Sequence, residues 1–358
     1  MTQTPGENSA QQPTQAQSAQ SQPTQPQPPQ QSQPAQPQPA QERDPLREAF
    51  VDVRTQIAKA VVGQDEAVTG MLIALLCQGH VLLEGVPGVA KTLLVRSFAK
   101  SVSLDNTRIQ FTPDLMPSDV TGSLVYDASV SNFEFRPGPV FTNILIADEI
   151  NRTPPKTQSA LLEAMEEHQV SVGGGSRALP EPFMVAATQN PLEYEGTYPL
   201  PEAQLDRFLF KLVLGLPERE LEFEILNRHA HGFDASHLAE AGLTPVVDAD
   251  MIARAREAIA EIYIAPQVIT YIVDLARATR QAPSLALGVS PRGATRMLGA
   301  ARAFAWLSGR GYVTPDDVKA LAHMTLGHRV ILRPEAQMDG LNVDQVLNSI
   351  IATTEVPR

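Results

Sequence analysis

The sequence predicts an α/β fold: a parallel sheet with helices on both faces, then a smaller helical domain, all preceded by a tail that does not pack. Three observations carry this reading. From about residue 80 to Leu216, short apolar runs alternate with amphipathic stretches, the pattern of parallel strands joined through helices. Strand signals then fade, and residues 217 to 330 hold one helical pattern after another. Residues 1 to 40 contain 14 Gln and 9 Pro and no aromatic residue, valine or isoleucine, too little apolar surface to offset the entropy of ordering. The expected organisation is a tail over 1–43, an αβα core over 44–216 and a helical domain with a C-terminal segment over 217–358.

The elements follow in order. Order is expected from Asp44, an N-cap with Pro45 at the first helical position and apolar residues at Leu46, Phe50, Val53, Ile57 and Val61, a helical spacing. "DEAVTGMLIALLCQG" reads as a second helix closed by Gly79. "HVLLEG" is a buried strand and "KTLLVRSFAKSV" the helix after it. "RIQFT" and "NILIA" are further strands, "PPKTQSALLEAMEEHQV" is an amphipathic helix, and "FMVAATQ" and "FLFKLVLG" complete five strands. Beyond Leu216, "DADMIARAREAIAEIYI", "PQVITYIVDLARATRQ", "SPRGATRMLGAARAFAWLSG" and "TPDDVKALAHMTLGHRV" each combine a start signal with helical spacing. The last 25 or so residues show no clear pattern.

Composition limits the function classes. The net charge of −12, from 28 basic and 40 acidic residues, argues against a general nucleic-acid binder, which usually carries a basic excess. The single cysteine, Cys77, excludes an internal disulfide and reads as a core thiol in a reducing compartment. No apolar run reaches the roughly 18 residues of a membrane span, and "MTQTPGENSA" lacks the features of a secretory signal. A cytoplasmic protein is expected. The tail's Pro-x-Pro steps suit either a docking peptide or a solvated spacer.

The chemistry concentrates at strand ends. "LLEGVPGVAKTLL" nearly matches a phosphate-binding loop, G-x-x-x-x-G-K-[ST]: Gly85, Gly88, Lys91 and Thr92 fit, whereas Ala90 stands where glycine is usual. Such a loop turns backbone N–H groups around phosphate oxygens at a helix N-terminus. A methyl is the smallest departure, and alanine fits without strain if residue 90 already has helical φ. Lys91 would reach the β/γ-phosphates and the Thr92 hydroxyl would bind Mg²⁺. The run "NILIADEINR" ends a strand in Asp148, placed to orient Mg²⁺, and Glu149, placed to polarise a water. Asn190 ends another strand, expected beside the loop's own, where an amide would hold the attacking water or the γ-phosphate. Arg207 and Arg292, the latter behind Ser290 and Pro291, are candidates to stabilise transition-state charge. Together these point to nucleotide hydrolysis. His229 and His231 read as a solvated turn rather than a metal site, and Trp306 as core.

These motifs resemble the AAA+ ATPases and, within them, the MoxR family. The resemblance covers roughly residues 45 to 335 and rests on "VVGQDEAV", "LLEGVPGVAKT", "RIQFTPDLMPSDVTG", "FRPGPVFTNILIADEINRTPPKTQSALLEAMEE", "ATQNPLEYEGTYPLPEAQLDRF" and "SPRGA". The loop alanine is itself typical of that family. The resemblance implies an AAA+ αβα domain with a helical lid and an ATP substrate with Mg²⁺. Val62, Gly63 and Gln64 would lie near the adenine. The Walker A loop would be Gly85, Val86, Pro87, Gly88, Val89, Ala90, Lys91 and Thr92, followed by Leu93. Asp148 and Glu149 would be Walker B, with Thr92 and Asp148 toward the metal. Asn190 would be sensor 1, Arg207 an arginine finger for the neighbouring subunit's ATP, and Arg292 a sensor 2 for the γ-phosphate of its own subunit. "SDVTGSLVYDASVSNFEF" and "SVGGGSRALPEPF" resemble inserts that face a ring pore. The family further implies a homo-oligomer, most simply a hexamer, a client protein and a partner with a von Willebrand A domain; the acidic balance leaves no nucleic-acid partner expected. The alternatives are a magnesium-chelatase-type motor subunit, a DNA-associated AAA+ ATPase or transcription regulator, and a scaffold that binds ATP without turnover.

Overall fold

A computed structural model describes residues 44–129, 131–191, 196–238 and 241–357. The Gln/Pro-rich tail lies outside the described residues. The described residues from Asp44 onward pack as one compact unit.

The first helix, α1 (Pro45–Ala58), begins as expected: the Asp44 carboxylate accepts from the Leu46 amide at 3.0 Å. Next come α2 (Asp65–Leu76), β1 (Val81–Glu84), α3 (Lys91–Ser101) and β2 (Asn106–Gln110). After α2 the left-handed turn falls on Gln78, at φ 51, and not on Gly79. Gly79 serves close packing instead, since a Cβ there would stand 2.7 Å from that of Leu209. A short α4 (Pro117–Thr121) leads into the hairpin β3 (Gly122–Asp127) and β4 (Asn132–Pro137). Then β5 (Ile144–Asp148), α5 (Pro155–Glu167), the hairpin β6 (Gln169–Val172) and β7 (Gly175–Ala178), and β8 (Met184–Gln189) follow. The two hairpins touch: the Arg177 guanidinium lies 4.2 Å from the centre of the Phe135 ring. After α6 (Glu202–Leu205), β9 (Phe210–Val213) completes the sheet.

The five strands run parallel in the order β2-β5-β8-β1-β9. Side chains alternate across a strand, and the cores record it. Val81 and Leu83, Ile144 and Ile146, and Met184 and Ala186 belong to the cluster that includes α1–α3. Leu82, Leu145, Ala147, Val185 and Ala187 belong to the other, with Leu161, Leu162 and Met165 of α5. Both faces are covered, which is why these strands read as unbroken apolar runs.

The helical part holds α7 (Arg219–Ala230), α8 (Ala249–Ala260), α9 (Pro266–Gln281), β10 (Leu285–Leu287), α10 (Pro291–Leu307) and α11 (Pro315–Leu326). The Ser290 hydroxyl caps α10 through the Gly293 amide at 3.2 Å. A 3₁₀ turn over Gly327–Arg329 leads to β11 (Ile331–Leu332), which pairs antiparallel with β10. The C-terminal stretch, patternless in the sequence, forms α12 (Pro334–Met338) and α13 (Val343–Thr353). The Trp306 ring packs edge-on to Phe50 at 5.5 Å, in the core as expected. Cys77 packs against the same core, and burial pushes its thiol up to about 12. No described helix is long and apolar enough to cross a membrane.

Candidate nucleotide site

The sheet order puts β1 beside β8, and β8 beside β5, so the loop after β1, Asn190 and the Asp148–Glu149 pair share one edge. Gly85 has no room for a side chain, because a Cβ would stand 2.6 Å from the Leu214 carbonyl oxygen. Gly88 sits at φ +89 in open space, so glycine serves the backbone there. Ala90 is left-handed too, at φ 62 and ψ 25, which corrects the expected helical φ. The loop makes its turn through residues 88 and 90 both, and α3 starts only at Lys91. A left-handed alanine costs about 1–2 kcal/mol, and strain of this kind gathers at ligand-binding loops.

Lys91 folds over the loop, its Nζ donating to the carbonyls of Gly85 and Val86, the latter at 3.0 Å. Burial pulls its ammonium below the ordinary range, against the carboxylates of Glu149, Asp148 and Glu84. A phosphate oxygen would be a stronger acceptor for this charge than either carbonyl.

Asp148 is 2% exposed. It accepts from the Thr92 hydroxyl at 3.2 and 3.3 Å, from the Thr188 hydroxyl at 3.0 Å and from Arg108 Nε at 2.7 Å. Glu149 is left-handed at φ 57. Its amide donates to the Thr188 oxygen at 3.1 Å, so one hydroxyl fixes both acids. The Glu149 carboxylate accepts from Gln110 Nε2 at 2.6 Å and pairs with Arg152 Nε at 3.0 Å. Among the described residues no three His, Cys, Asp or Glu side chains gather as a metal site. One hydroxyl and one carboxylate are nevertheless a fitting donor set for Mg²⁺, which takes few protein ligands and completes its shell with water and substrate phosphates.

These groups line a cavity of about 710 Å³, within the size range of ligand pockets. Of the predicted residues, Val62, Gln64, Pro87 to Leu93, Asp148, Glu149 and Asn190 face it. Gly85 and Val86 lie behind, holding Lys91. Gly63 does not face it: at φ +74 it turns toward Leu221 and borders a separate groove.

Sequence reasoning missed several lining residues. Arg108 and Gln110 come from β2, brought to the acids by its pairing with β5, where Gln110 stands opposite Asp148. Ile225, His229 and Phe233 come from α7 and the turn after it. Arg228 fastens this end, donating to the Ala58 carbonyl at 2.7 Å and pairing with Glu224 at 2.8 Å. His229, exposed in the last turn of α7 as the sequence suggested, also borders the cavity, its ring edge-on to Phe233 at 5.3 Å. His231 is exposed and bonded to the Asn227 carbonyl, as read from the sequence. The α7 stretch was not singled out in the sequence, and nothing local marked it as a pocket wall.

Arg207 and Arg292 lie outside the cavity. Arg207 Nε pairs with Glu166 at 2.8 Å and Arg292 Nη1 with the other oxygen of that carboxylate at 2.7 Å. The Arg292 hydrogen bond holds the Glu166 carboxyl below its ordinary range. The expectation that Arg292 reaches the phosphate site of its own chain is corrected: the start of α10 packs beside the end of α5, and Glu166 holds the guanidinium there.

Comparison with known proteins agrees with this geometry. Residues 80–210 match the family described as ATPases associated with various cellular activities (AAA), and residues 277–350 match the AAA lid domain. An uncharacterized protein of Bacillus subtilis, YeaC, is 50% identical over 84% of this chain and 92% of its own. Chaperone MoxR1 of Mycobacterium tuberculosis is 43% identical over 85% of this chain and 81% of its own. A crystal structure from Cytophaga hutchinsonii, an ATPase by assignment, superposes with a TM-score of 0.79 at 40% identity, over 87% of this chain and 96% of its own. The sheet, the phosphate loop and the helices behind it define an ATPase of the AAA type. More narrowly, the chain belongs to the MoxR family of AAA+ ATPases.

Proposed function

We propose that the protein hydrolyses ATP in a ring of like subunits and uses the cycle to remodel or activate client proteins. The observation that carries the hydrolytic reading is the Thr188 hydroxyl, which fixes Asp148 and Glu149 together at the mouth of the phosphate loop. Glu149 takes a proton from the attacking water. Lys91 and the loop amides hold the phosphates, and Asn190 orients the water or the γ-phosphate. Mg²⁺, held by Thr92 and Asp148, would neutralise charge on the phosphate oxygens. Val62, Ile225, His229 and Phe233 offer an apolar end for the base.

Arg207 and Arg292 form one patch away from their own cavity, bridged by Glu166. That placement supports a shared site in which both arginines serve the ATP of the adjacent subunit. The β3–β4 hairpin presents Tyr126 and Phe133, 55% and 62% exposed, a suitable surface for a client. A hexamer and a partner with a von Willebrand A domain rest on the family resemblance alone, and a cytoplasmic setting on the composition of the sequence.

ATP turnover tests this reading. The wild type is expected to hydrolyse ATP, and Glu149→Gln to bind it with near-normal affinity while losing most turnover, on the order of a hundredfold or more. Turnover unchanged in Glu149→Gln would remove Glu149 from the chemistry.

A further inference from the structure

The side chain of Arg329 is 2% exposed, among the most buried charges of the described residues, and four of its five hydrogen bonds go to one segment. Its Nε pairs with Asp206 Oδ1 at 2.6 Å. One terminal nitrogen donates to the carbonyls of Asp206 at 3.2 Å and Phe208 at 2.6 Å. The other donates to the Leu209 carbonyl at 3.1 Å and to that of Thr325 at the end of α11. The neighbouring His328 adds Nε2 to the Phe208 carbonyl at 3.1 Å. As a carbonyl only accepts, Nε2 carries the proton. The backbone on either side of Arg207 is thus gripped by two consecutive residues of the 3₁₀ turn after α11.

A buried guanidinium needs such a cage, because its charge is costly to desolvate unless every donor is satisfied. Many other contacts could have joined the helical part to the sheet by apolar packing alone. Here the join is directional, and it falls on the residues that flank Arg207. Gly293, next to Arg292, makes room for it: a Cβ there would stand 2.9 Å from Arg329 Cδ. The Asp206 carboxylate also faces Arg292, with 3.9 Å between its Oδ2 and Arg292 Nε.

We infer that Arg329 is a positioning residue for Arg207: by clamping residues 206–209 to the turn after α11, it makes correct seating of the C-terminal helices a condition for presenting Arg207. This rests on the proposed reading that Arg207 serves the ATP of an adjacent subunit. Arg329 touches no substrate. It acts on the backbone that carries Arg207, and a displacement of about 1 Å at such a group is enough to cost up to a hundredfold in rate.

The test is a double-mutant comparison of steady-state ATP turnover in the full chain, using Arg329→Lys, Asp206→Asn and Arg207→Ala. Lysine is a single donor head and cannot hold four carbonyls and a carboxylate at once. Arg329→Lys and Asp206→Asn are each expected to lower kcat about tenfold while KM for ATP stays within about twofold. Combined with Arg207→Ala, either is expected to add less than about a twofold further loss, since both act through the one side chain. Asp206→Asn keeps the side-chain shape and guards against a variant that fails to fold, with the melting temperature of each variant measured alongside. The inference is overturned if the losses multiply in the double variants. It is equally overturned if kcat is unchanged in both singles while Arg207→Ala loses turnover. A wild type without turnover, or an Arg207→Ala variant at full rate, would instead strike the shared-site reading itself.

Discussion

Ala90 is a single methyl set against the local backbone. At φ 62 it holds a conformation that glycine adopts freely, so Ala90→Gly should raise stability by about 1 kcal/mol, read from the denaturant midpoint at constant m. ATP should still bind, because the inward amides are unchanged. A loss of stability would mean that the loop does not carry the left-handed alanine. Phe233 poses the opposite question at the base end. Phe233→Ala should weaken ATP binding about tenfold with kcat at saturation largely kept, because the ring contributes equally to ground and transition states. An unchanged KM would remove it from the base pocket. Why Ala90 replaces glycine was not readable from the sequence, since φ follows from how the turn closes onto Leu214 and α3. Gly85, Lys91, Thr92, Asp148 and Glu149 were readable, because their chemistry demands those residue types at fixed offsets along single elements.

At the scale of elements, the sheet was legible, and so was the pairing of the Asn190 strand with the loop's own, but the rest of its order was not. Fully buried strands announce themselves as apolar runs, but which strand pairs with which is settled by packing. Arg108 and Gln110 become neighbours of the acids only through the pairing of β2 with β5, some 38 residues apart in sequence. The helical half shows the same limit: α10 was expected from its cap and spacing, while its seat beside Glu166 is a matter of packing between elements far apart in sequence.

The sheet also carries a pH-sensitive joint. His80, at the head of β1, accepts from the Val185 amide at 3.0 Å through Nδ1 and gives its Nε2 proton to the Met165 carbonyl at 3.1 Å. Burial lowers its pKa to about 3. The folded protein therefore refuses a proton that the unfolded chain accepts near pH 6.5. The stability from neutral His80 is complete above pH 6.5. It is lost as the pH falls toward 3, at no more than about 1.4 kcal/mol per pH unit. His328, buried against Phe208, acts in the same direction. Denaturant titrations from pH 7 to 4 should show this decline, with a shallower slope in His80→Gln. An identical slope in the two proteins would assign the acid sensitivity elsewhere.

For the whole molecule, the account turns on where two features of one chain lie. The cavity faces the ends of β1, β5 and β8, while Arg207 and Arg292 stand outside it, bridged by Glu166. A surface that offers a cavity in one place and its complementing cations in another suits head-to-tail association into a ring. The direct measurement mixes two variants. Glu149→Gln retains Arg207, and Arg207→Ala retains Glu149. Each alone should be nearly inactive, and an equal mixture that exchanges subunits should recover about a quarter of wild-type turnover, because head-to-tail contacts place an intact Glu149 opposite an intact Arg207 at one junction in four. Arg292→Ala mixed with Glu149→Gln should behave in the same way. No recovery in a mixture proven to exchange subunits would contradict the shared site.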